Sequence, residues 1–298
     1  SIQVVTEEIV IKLARSIKKE SGLKNLCLAG GVALNCVANG KLLQEKIFEN
    51  IWIQPAAGDA GGALGCALYL WHNELNNTRS FSEDKIKGSL LGTSYSNDEI
   101  KEQLVNLNAN FEMKNSEDIT EIASRELEKG KIIGWFQNRM EFGPRALGSR
   151  SIIADPRNVE MQKNLNLKIK YRESFRPFAP SVLKEYAKDW FDLKKDSPYM
   201  LFTAQVAKEK LIQNETEIEF GLSKINNLRS IIPAVTHLDN SARVQTVDKI
   251  HNPKYHSLIN KFYEKTGCPI IVNTSFNVRG EPIVMSPKDA YNCFMGTE

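Results

Sequence analysis

The chain has 298 residues, a length that favours two domains of ordinary size. Hydrophobic residues make up 42% and charged residues 25%, as in an average globular protein, which excludes a disordered, collagen-like or coiled-coil chain. The net charge of +3 is too small to indicate a nucleic-acid or membrane partner by itself. No apolar run reaches the roughly 18 residues of a membrane span, and the first residues lack the pattern of a signal peptide.

The early part of the chain alternates helical and extended patterns. The predicted elements are a helix over 5–20, a strand over 26–29, a helix over 32–45, a strand over 51–53 and a helix over 61–71. The first helix is assigned a core-facing stripe of Val5, Ile9, Leu13 and Ile17. This order of elements predicts an α/β unit with parallel strands.

A polar stretch over 73–98 separates this unit from the rest of the chain. We therefore predict a first domain over 1–95, a linker over 96–110 that includes a short helix, and a second domain over 111–298. Its predicted strands cover 111–113, 131–136, 151–154, 179–183, 201–206, 242–247 and 269–272. Its predicted helices cover 117–129 (capped by Ser116), 159–167, 253–266 and 287–295. The irregular order favours an α/β sheet that is not simply doubly wound.

The cysteines indicate the redox environment. There are five, Cys27, Cys36, Cys66, Cys268 and Cys293, with no C-x-x-C pair. The odd number and the apolar or small neighbours of four of them predict reduced, mostly buried thiols of a cytoplasmic protein.

Two glycine-rich segments each join a predicted strand to a predicted helix. The first runs from Gly30 and Gly31 to Asn35, and the second contains Asp59. Glycines at a helix start let a phosphate approach free backbone N–H groups, and an aspartate there can hold a cation. An ordinary tight turn and an N-cap explain the same residues, so both interpretations stay open.

Positive charge is concentrated in residues 131–176, which hold ten lysines and arginines against four acids. Such a run is usually a solvated face. Several of its arginines, however, lie in loops that also contain glycine and proline, and an arginine on a rigid loop suits phosphate or carboxylate recognition. RNA would also fit the charge, although the stacking aromatics are missing because Phe175 and Phe178 are interpreted as packing residues.

Two further polar segments follow, over 237–243 and 273–281. The second crowds hydroxyl and amide side chains after a strand and could bind an anion, or could be a polar turn. The four histidines form no metal-binding pattern, and no G-x-S-x-G elbow is present.

Six segments occur in one order: GGVALNCVANGKLL, GDAGGALGCALY, GWFQNRMEFGPRALGSRSIIADPR, KIKYRESFRPFAPSVL, HLDNSARVQTV and NTSFNVRGEPIV. Together they resemble the C-terminal part of an O-carbamoyltransferase of the NodU/CmcH family. The resemblance implies an α/β fold, in which part of an actin-like ATPase (ASKHA) domain precedes a YrdC-like domain with a twisted mixed sheet.

The resemblance also implies a reaction. The YrdC-like domain would use carbamoyl phosphate and ATP, with Mg²⁺, to form carbamoyl-adenylate. The first domain would then transfer the carbamoyl group to a hydroxyl of a natural-product or saccharide acceptor, beside a divalent metal that we expect to be iron. A homodimer is expected by analogy, and neither a membrane nor a nucleic acid is an expected partner.

Site residues follow from the matched motifs. Lys170, Arg172 and Arg243 are the expected catalytic residues, and Arg145, Ser275 and Asn277 join them in binding carbamoyl phosphate and ATP. Gly30, Gly31 and Asn35 are expected to bind nucleotide in the first domain, and Asp59 to bind metal.

The chain departs from the family pattern in three ways. Asp239-Asn240-Ser241 replaces the usual Asp-Gly-Thr, the upstream histidine pair is missing, and the final strand is missing. We therefore expect a fragment that lacks full activity. The alternative function is an RNA-binding or tRNA-modification module of the YrdC type.

Overall fold

A computed structural model describes residues 1–79, 86–212 and 227–297. The protein combines helices with mixed sheets, which confirms the α/β class. The first elements are α1 (Ile2–Ser21), β1 (Asn25–Leu28), a 3₁₀ turn (Gly31–Leu34), α2 (Cys36–Gln44), β2 (Asn50–Ile53) and α3 (Asp59–Tyr69). Strands β1 and β2 pair in parallel, as predicted. The predicted helix over 32–45 is interrupted because Asn35 is extended and caps α2.

The predicted core-facing stripe of α1 is wrong. Val5, Ile9, Leu13 and Ile17 are 46–57% exposed, whereas the buried residues of α1 are Ile11 and Ala14. The helix carries apolar residues on two faces, and α1 packs on α2 through Ala14, which shares a core with Leu42 and has Val10 packed against it. Helix α3, although strongly apolar, has no buried residue at all.

The remaining elements form the second predicted domain and the segment before it. They are α4 (Asn97–Asn106), α5 (Ser116–Glu128), β3 (Ile133–Phe136), β4 (Arg150–Ala154), α6 (Met161–Asn164), β5 (Ala179–Leu183), α7 (Ala187–Trp190), β6 (Thr203–Gln205), β7 (Ser241–Arg243), β8 (Gln245–Val247), α8 (Pro253–Thr266), β9 (Ile270–Ser275) and α9 (Pro287–Met295). Five strands form a sheet in the order β3-β4-β9-β5-β8. Only β5 and β8 pair in parallel there, so the sheet is mixed, as expected.

Three local predictions for this region are wrong. Residues 111–113 form no strand, and Asn115 rather than Ser116 caps α5. The single strand predicted over 242–247 is divided at Val244, whose N–H bonds to the Phe202 carbonyl. At that residue the chain passes from the β6–β7 pair into the five-stranded sheet, because each half finds a different partner.

A small core joins the two predicted domains. Ile53 and Ala57 from the first part pack with Leu147 and Met200 from the second. The Asn39 side chain of α2 also donates to the Leu201 carbonyl, at 3.1 Å. The larger core lies around the five-stranded sheet, where α5 packs on α8. The segment predicted as a linker contains α4, which contacts α9.

The thiols are less buried than predicted. All five cysteines are free, but Cys27 and Cys66 are exposed and Cys36 is half-buried, leaving Cys268 and Cys293 buried. Within the described ranges, no helix combines the length and the hydropathy needed to cross a membrane.

Candidate active site: an arginine cleft

Four arginines converge on a cleft of about 310 Å³ between the two parts of the chain. We call it the arginine cleft; its polar lining is Cys36, Arg145, Arg172, Arg176, His237, Arg243, Asn273, Thr274 and Ser275. In the three described ranges, none of the four arginines forms an ion pair with a carboxylate. Unpaired guanidinium groups that share a cavity repel one another, so the arrangement favours a bound anion.

Arg145 is presented by the loop over 143–149, which buried polar side chains hold in place. Oε1 of Glu141 accepts hydrogen bonds from the backbone N–H groups of Leu147, at 2.6 Å, and Ser149, at 2.8 Å. Nη2 of Arg145 donates to the carbonyl of Leu34, at 3.4 Å, and so links the loop to the first part of the chain. Burial raises the pKa of the Glu141 carboxyl, and these backbone N–H groups oppose that rise.

The sheet beneath supports the same loop. Gln245 of β8 donates to the Leu147 carbonyl at 2.8 Å, and Asn273 of β9 donates to the Ala146 carbonyl at 3.2 Å. Gly148 has φ 107°, and a side chain there would overlap the ring of Tyr255. The loop therefore has one packed conformation, and Arg145 is carried on a rigid support.

Arg172 and Arg243 reach the cleft from other elements. Arg172 lies over the Phe178 ring, 4.9 Å from its centroid, while its Nε donates to Oδ1 of Asn166 at 2.6 Å. Arg243 projects from β7 and has no hydrogen-bond partner in the described part of the chain. Burial, together with the charges of the other three arginines, lowers the pKa of Arg243 to about 10. An anionic ligand would offset the unfavourable free energy of holding the Arg243 charge in a buried site beside other positive charges.

Lys170 lies directly behind the cleft wall. Its Nζ donates to the carbonyl oxygens of Ser275, at 2.5 Å, and Asn277, at 2.8 Å, and to Oδ1 of Asn277 at 2.8 Å. The side chain is buried, and this burial, together with the charge of Arg172, lowers the pKa of Lys170 to about 7. Lys170 therefore fixes the end of β9 and places a titratable charge next to Ser275.

The structure thus brings the six residues predicted for the second domain together. Arg145, Arg172, Arg243 and Ser275 line the cleft, and Lys170 and Asn277 form its support. The sequence prediction did not assign five polar lining residues to the site: Cys36, Arg176, His237, Asn273 and Thr274. Arg176 belongs to the basic segment, His237 to the polar segment over 237–243, and Asn273 and Thr274 to that over 273–281, so local composition pointed to all of them except Cys36.

Two other basic residues of that segment serve the fold. Arg150 is fully buried, lies 3.5 Å from the centroid of the Phe136 ring and donates to backbone carbonyls, including that of Gln137. Arg157 pairs with Asp155 at 2.7 Å. The basic segment therefore combines ligand-facing and structural cations. Its Phe178 is buried, as predicted, but Phe175 is 49% exposed, so the packing interpretation of Phe175 is wrong.

The residues predicted for the first domain lie at the edge of the β1–β2 sheet. The Gly30 N–H donates to the Ala57 carbonyl at 2.8 Å, which holds the two glycine-rich turns side by side. Gly31 begins the 3₁₀ turn, and a side chain there would meet open space. Oδ1 of Asn35 caps α2 by accepting from the Ala38 N–H, and this amide also bonds to Gln3.

Asp59 is the first residue of α3 and is exposed. Among the residues that the structure describes, no three His, Cys, Asp or Glu side chains lie together in a way that could hold a metal ion. Asp59 therefore does not form a metal centre with other described residues.

Comparison with known proteins gives the family. A model described as the carbamoyltransferase C-terminus matches residues 124–298, and one described as the carbamoyltransferase N-terminus matches residues 1–68. The chain therefore carries sequence of both family domains and is not confined to the C-terminal one.

Three relatives support the match. An uncharacterized protein, sll1178, of Synechocystis is 56% identical over the whole chain, which covers 49% of that protein. Nodulation protein NolO of Bradyrhizobium diazoefficiens is 41% identical over the whole chain, which covers 51% of that protein. Nodulation protein U of Rhizobium fredii is 33% identical over 87% of the chain, and the match covers 39% of that protein. The chain spans about half the length of the first two relatives. It belongs to the carbamoyltransferase family.

Proposed function

We propose that the full-length protein is an ATP-dependent O-carbamoyltransferase and that the arginine cleft binds the phosphate of carbamoyl phosphate. The observation that carries the proposal is the convergence of Arg145, Arg172, Arg176 and Arg243 without carboxylate partners among the described residues. A phosphate dianion matches such a set of donors in both charge and hydrogen-bonding geometry.

The proposed chemistry asks the protein mainly for positioning and charge stabilisation. Carbamoyl phosphate, ATP and water give carbamoyl-adenylate, phosphate and pyrophosphate. The arginines neutralise the negative charge that develops on the departing phosphate, and Lys170 adds charge from behind Ser275. A nucleophile–base pair is not needed for this role.

The finer assignments belong to the same proposal. The mixed sheet would be the YrdC-like domain, and β1, β2 and the surrounding helices would be part of the actin-like domain. Mg²⁺ would accompany ATP, and the iron expected in the first domain would need ligands beyond Asp59. The acceptor would be a hydroxyl of a saccharide or another natural product; the relatives include proteins named for nodulation.

Calorimetric titration with carbamoyl phosphate tests the cleft. We expect binding that weakens by roughly tenfold or more in Arg243→Gln, because a charge-assisted contact is lost. Arg125→Gln, on the exposed surface of α5, is the matched control and should bind like the wild type. Pyrophosphate release in the presence of ATP reports adenylate formation. Absence of carbamoyl phosphate binding by the folded protein would refute the proposal.

The alternative of an RNA-binding module is not favoured, since the chain matches carbamoyltransferases along both parts. It predicts RNA affinity that falls steeply as the salt concentration rises. A filter-binding assay with RNA at two salt concentrations tests the alternative, and the titration with carbamoyl phosphate tests the main proposal. Only the carbamoyltransferase proposal requires affinity for carbamoyl phosphate.

A further inference from the structure

His237 is the basic side chain of the cleft that can offer a hydrogen-bond acceptor as well as a donor. The four arginine side chains carry donors only. His237 lines both the arginine cleft and an adjoining cavity that contains Phe175. It is half-buried, and a neutral imidazole presents one nitrogen that accepts.

Neighbouring residues determine which nitrogen accepts. The Ser241 hydroxyl donates to Oδ1 of Asp239 at 2.7 Å, so its single proton is committed. Nδ1 of His237 lies 3.2 Å from the same hydroxyl oxygen and must therefore donate to it. The proton of a neutral ring is then on Nδ1. Nε2 keeps its lone pair and has no partner in the described ranges of the chain.

The surroundings also keep the ring neutral. Burial lowers the pKa of His237, Asp239 raises it, and the charge of Arg243 lowers it. The outcome is a pKa below the ordinary value for histidine, so Nε2 remains an acceptor at neutral pH.

Carbamoyl phosphate has a matching group. Its phosphate and carbonyl oxygens accept hydrogen bonds and suit the arginines, but its amino group can only donate. We propose that Nε2 of His237 accepts a hydrogen bond from the carbamoyl NH₂ group and selects carbamoyl over acyl phosphates. This inference rests on the proposed function, because it assumes that the ligand of the cleft is carbamoyl phosphate.

Two hydroxyls and one amide oxygen are the competing acceptors on the β9 side of the cleft, and the amide oxygen, Oδ1 of Asn273, is buried without a partner among the described residues. The Ser275 hydroxyl donates to Oδ1 of Asn277 at 2.7 Å and lies 3.3 Å from Nζ of Lys170, so its proton is committed while its oxygen keeps a lone pair that can accept. Thr274 lines the cleft with a hydroxyl that is not engaged among the described residues. Thr274→Val therefore tests this hydroxyl, and loss of the preference for the amide ligand in His237→Phe would exclude Asn273 and Ser275 as the acceptor.

The test uses two stable phosphonates of equal charge and similar shape. Phosphonoacetamide carries the carbamoyl NH₂ group, and acetonylphosphonate carries a methyl group in its place. We expect the wild type to bind phosphonoacetamide roughly tenfold tighter in calorimetry. His237→Phe should reduce this ratio to about one by weakening phosphonoacetamide binding alone. His237→Gln, which retains an acceptor oxygen, should keep part of the ratio, and Thr274→Val should keep all of it.

A measurement on the unaltered protein covers the case in which His237→Phe does not fold. The ¹⁵N resonance of His237 Nε2 should shift on adding phosphonoacetamide and much less on adding acetonylphosphonate. Equal binding of both phosphonates, equal Nε2 shifts, a ratio that survives His237→Phe, or a ratio abolished by Thr274→Val would overturn the His237 assignment while leaving the anion cleft intact. Binding of neither phosphonate by the wild type would overturn the proposed function together with it.

Discussion

Nζ of Lys170 lies 2.8 Å from Oδ1 of Asn277, although 107 residues separate them along the chain. This bond joins the segment that carries Arg172 to the end of β9, which carries Ser275. The lysine is buried and its pKa is lowered to about 7, so its charge changes near neutral pH. The support of the arginine cleft is therefore also its pH-sensitive element.

The first prediction concerns pH. Lys170 is protonated below pH 7 and loses its positive charge as the pH rises through its pKa of about 7. Affinity for sulfate, whose own charge is constant in this range, should fall by about fivefold between about pH 6.5 and 8.5. Calorimetry measures this. Lys170→Met, checked for folding by circular dichroism, should show no such slope, and an equal slope in both proteins would contradict the assignment.

The second prediction concerns the loop that carries Arg145. Glu141→Gln replaces two charge-assisted hydrogen bonds, to Leu147 and Ser149, by weaker neutral contacts. The free energy of unfolding in urea should fall by about 1–3 kcal/mol, and sulfate affinity should fall with it. Glu160→Gln is the control, because Glu160 is exposed and its ion pair with Lys163 is long, at 3.8 Å. Equal effects of the two variants would argue against a loop-holding role.

The third prediction concerns Gly148. An alanine there would need an unfavourable positive φ and would overlap the ring of Tyr255, so we expect a loss of about 3 kcal/mol or more in unfolding free energy. Gly267→Ala separates the two causes, since Gly267 has φ +69° but open space around it. It should cost only about 1 kcal/mol. Urea unfolding of both variants makes the comparison.

The fourth prediction concerns α1. Ile11→Ala removes a buried side chain and should lower the free energy of unfolding by about 2–3 kcal/mol. Leu13→Ala, at a position 57% exposed, should change it by less than about 0.5 kcal/mol. A larger loss of stability for Leu13→Ala than for Ile11→Ala would instead support the core-facing stripe that the periodicity predicted.

Local patterns predicted many elements closely. Helices α8 and α9 and strand β5 have the predicted bounds. Proline near the start of both helices, and glycine after the end of α8, mark the helix ends in the sequence itself, whatever the fold around them. The prediction for α1 failed because two of its faces are apolar, and hydropathy alone cannot say which one a neighbour covers.

The division of the 242–247 strand at Val244 has a related cause. Both halves have the composition of strands, and the change of partner depends on Phe202 and Ser197, some 40 residues earlier. Pairing partners are not encoded in the segment itself, so the sequence reads it as a single strand.

By itself, the sequence determined the chemistry available to this protein. It shows arginines concentrated on loops that contain glycine and proline, and polar segments that follow strands. These features can be recognised in a sequence because composition and turn residues are local properties. Only the tertiary structure decided that Arg145, Arg172, Arg176 and Arg243 share one cleft, that Lys170 stands behind it, and that His237 offers it an acceptor. The physical reason is that the cleft is lined by residues from Cys36 to Ser275, and separation along the chain carries no information about distance in the fold.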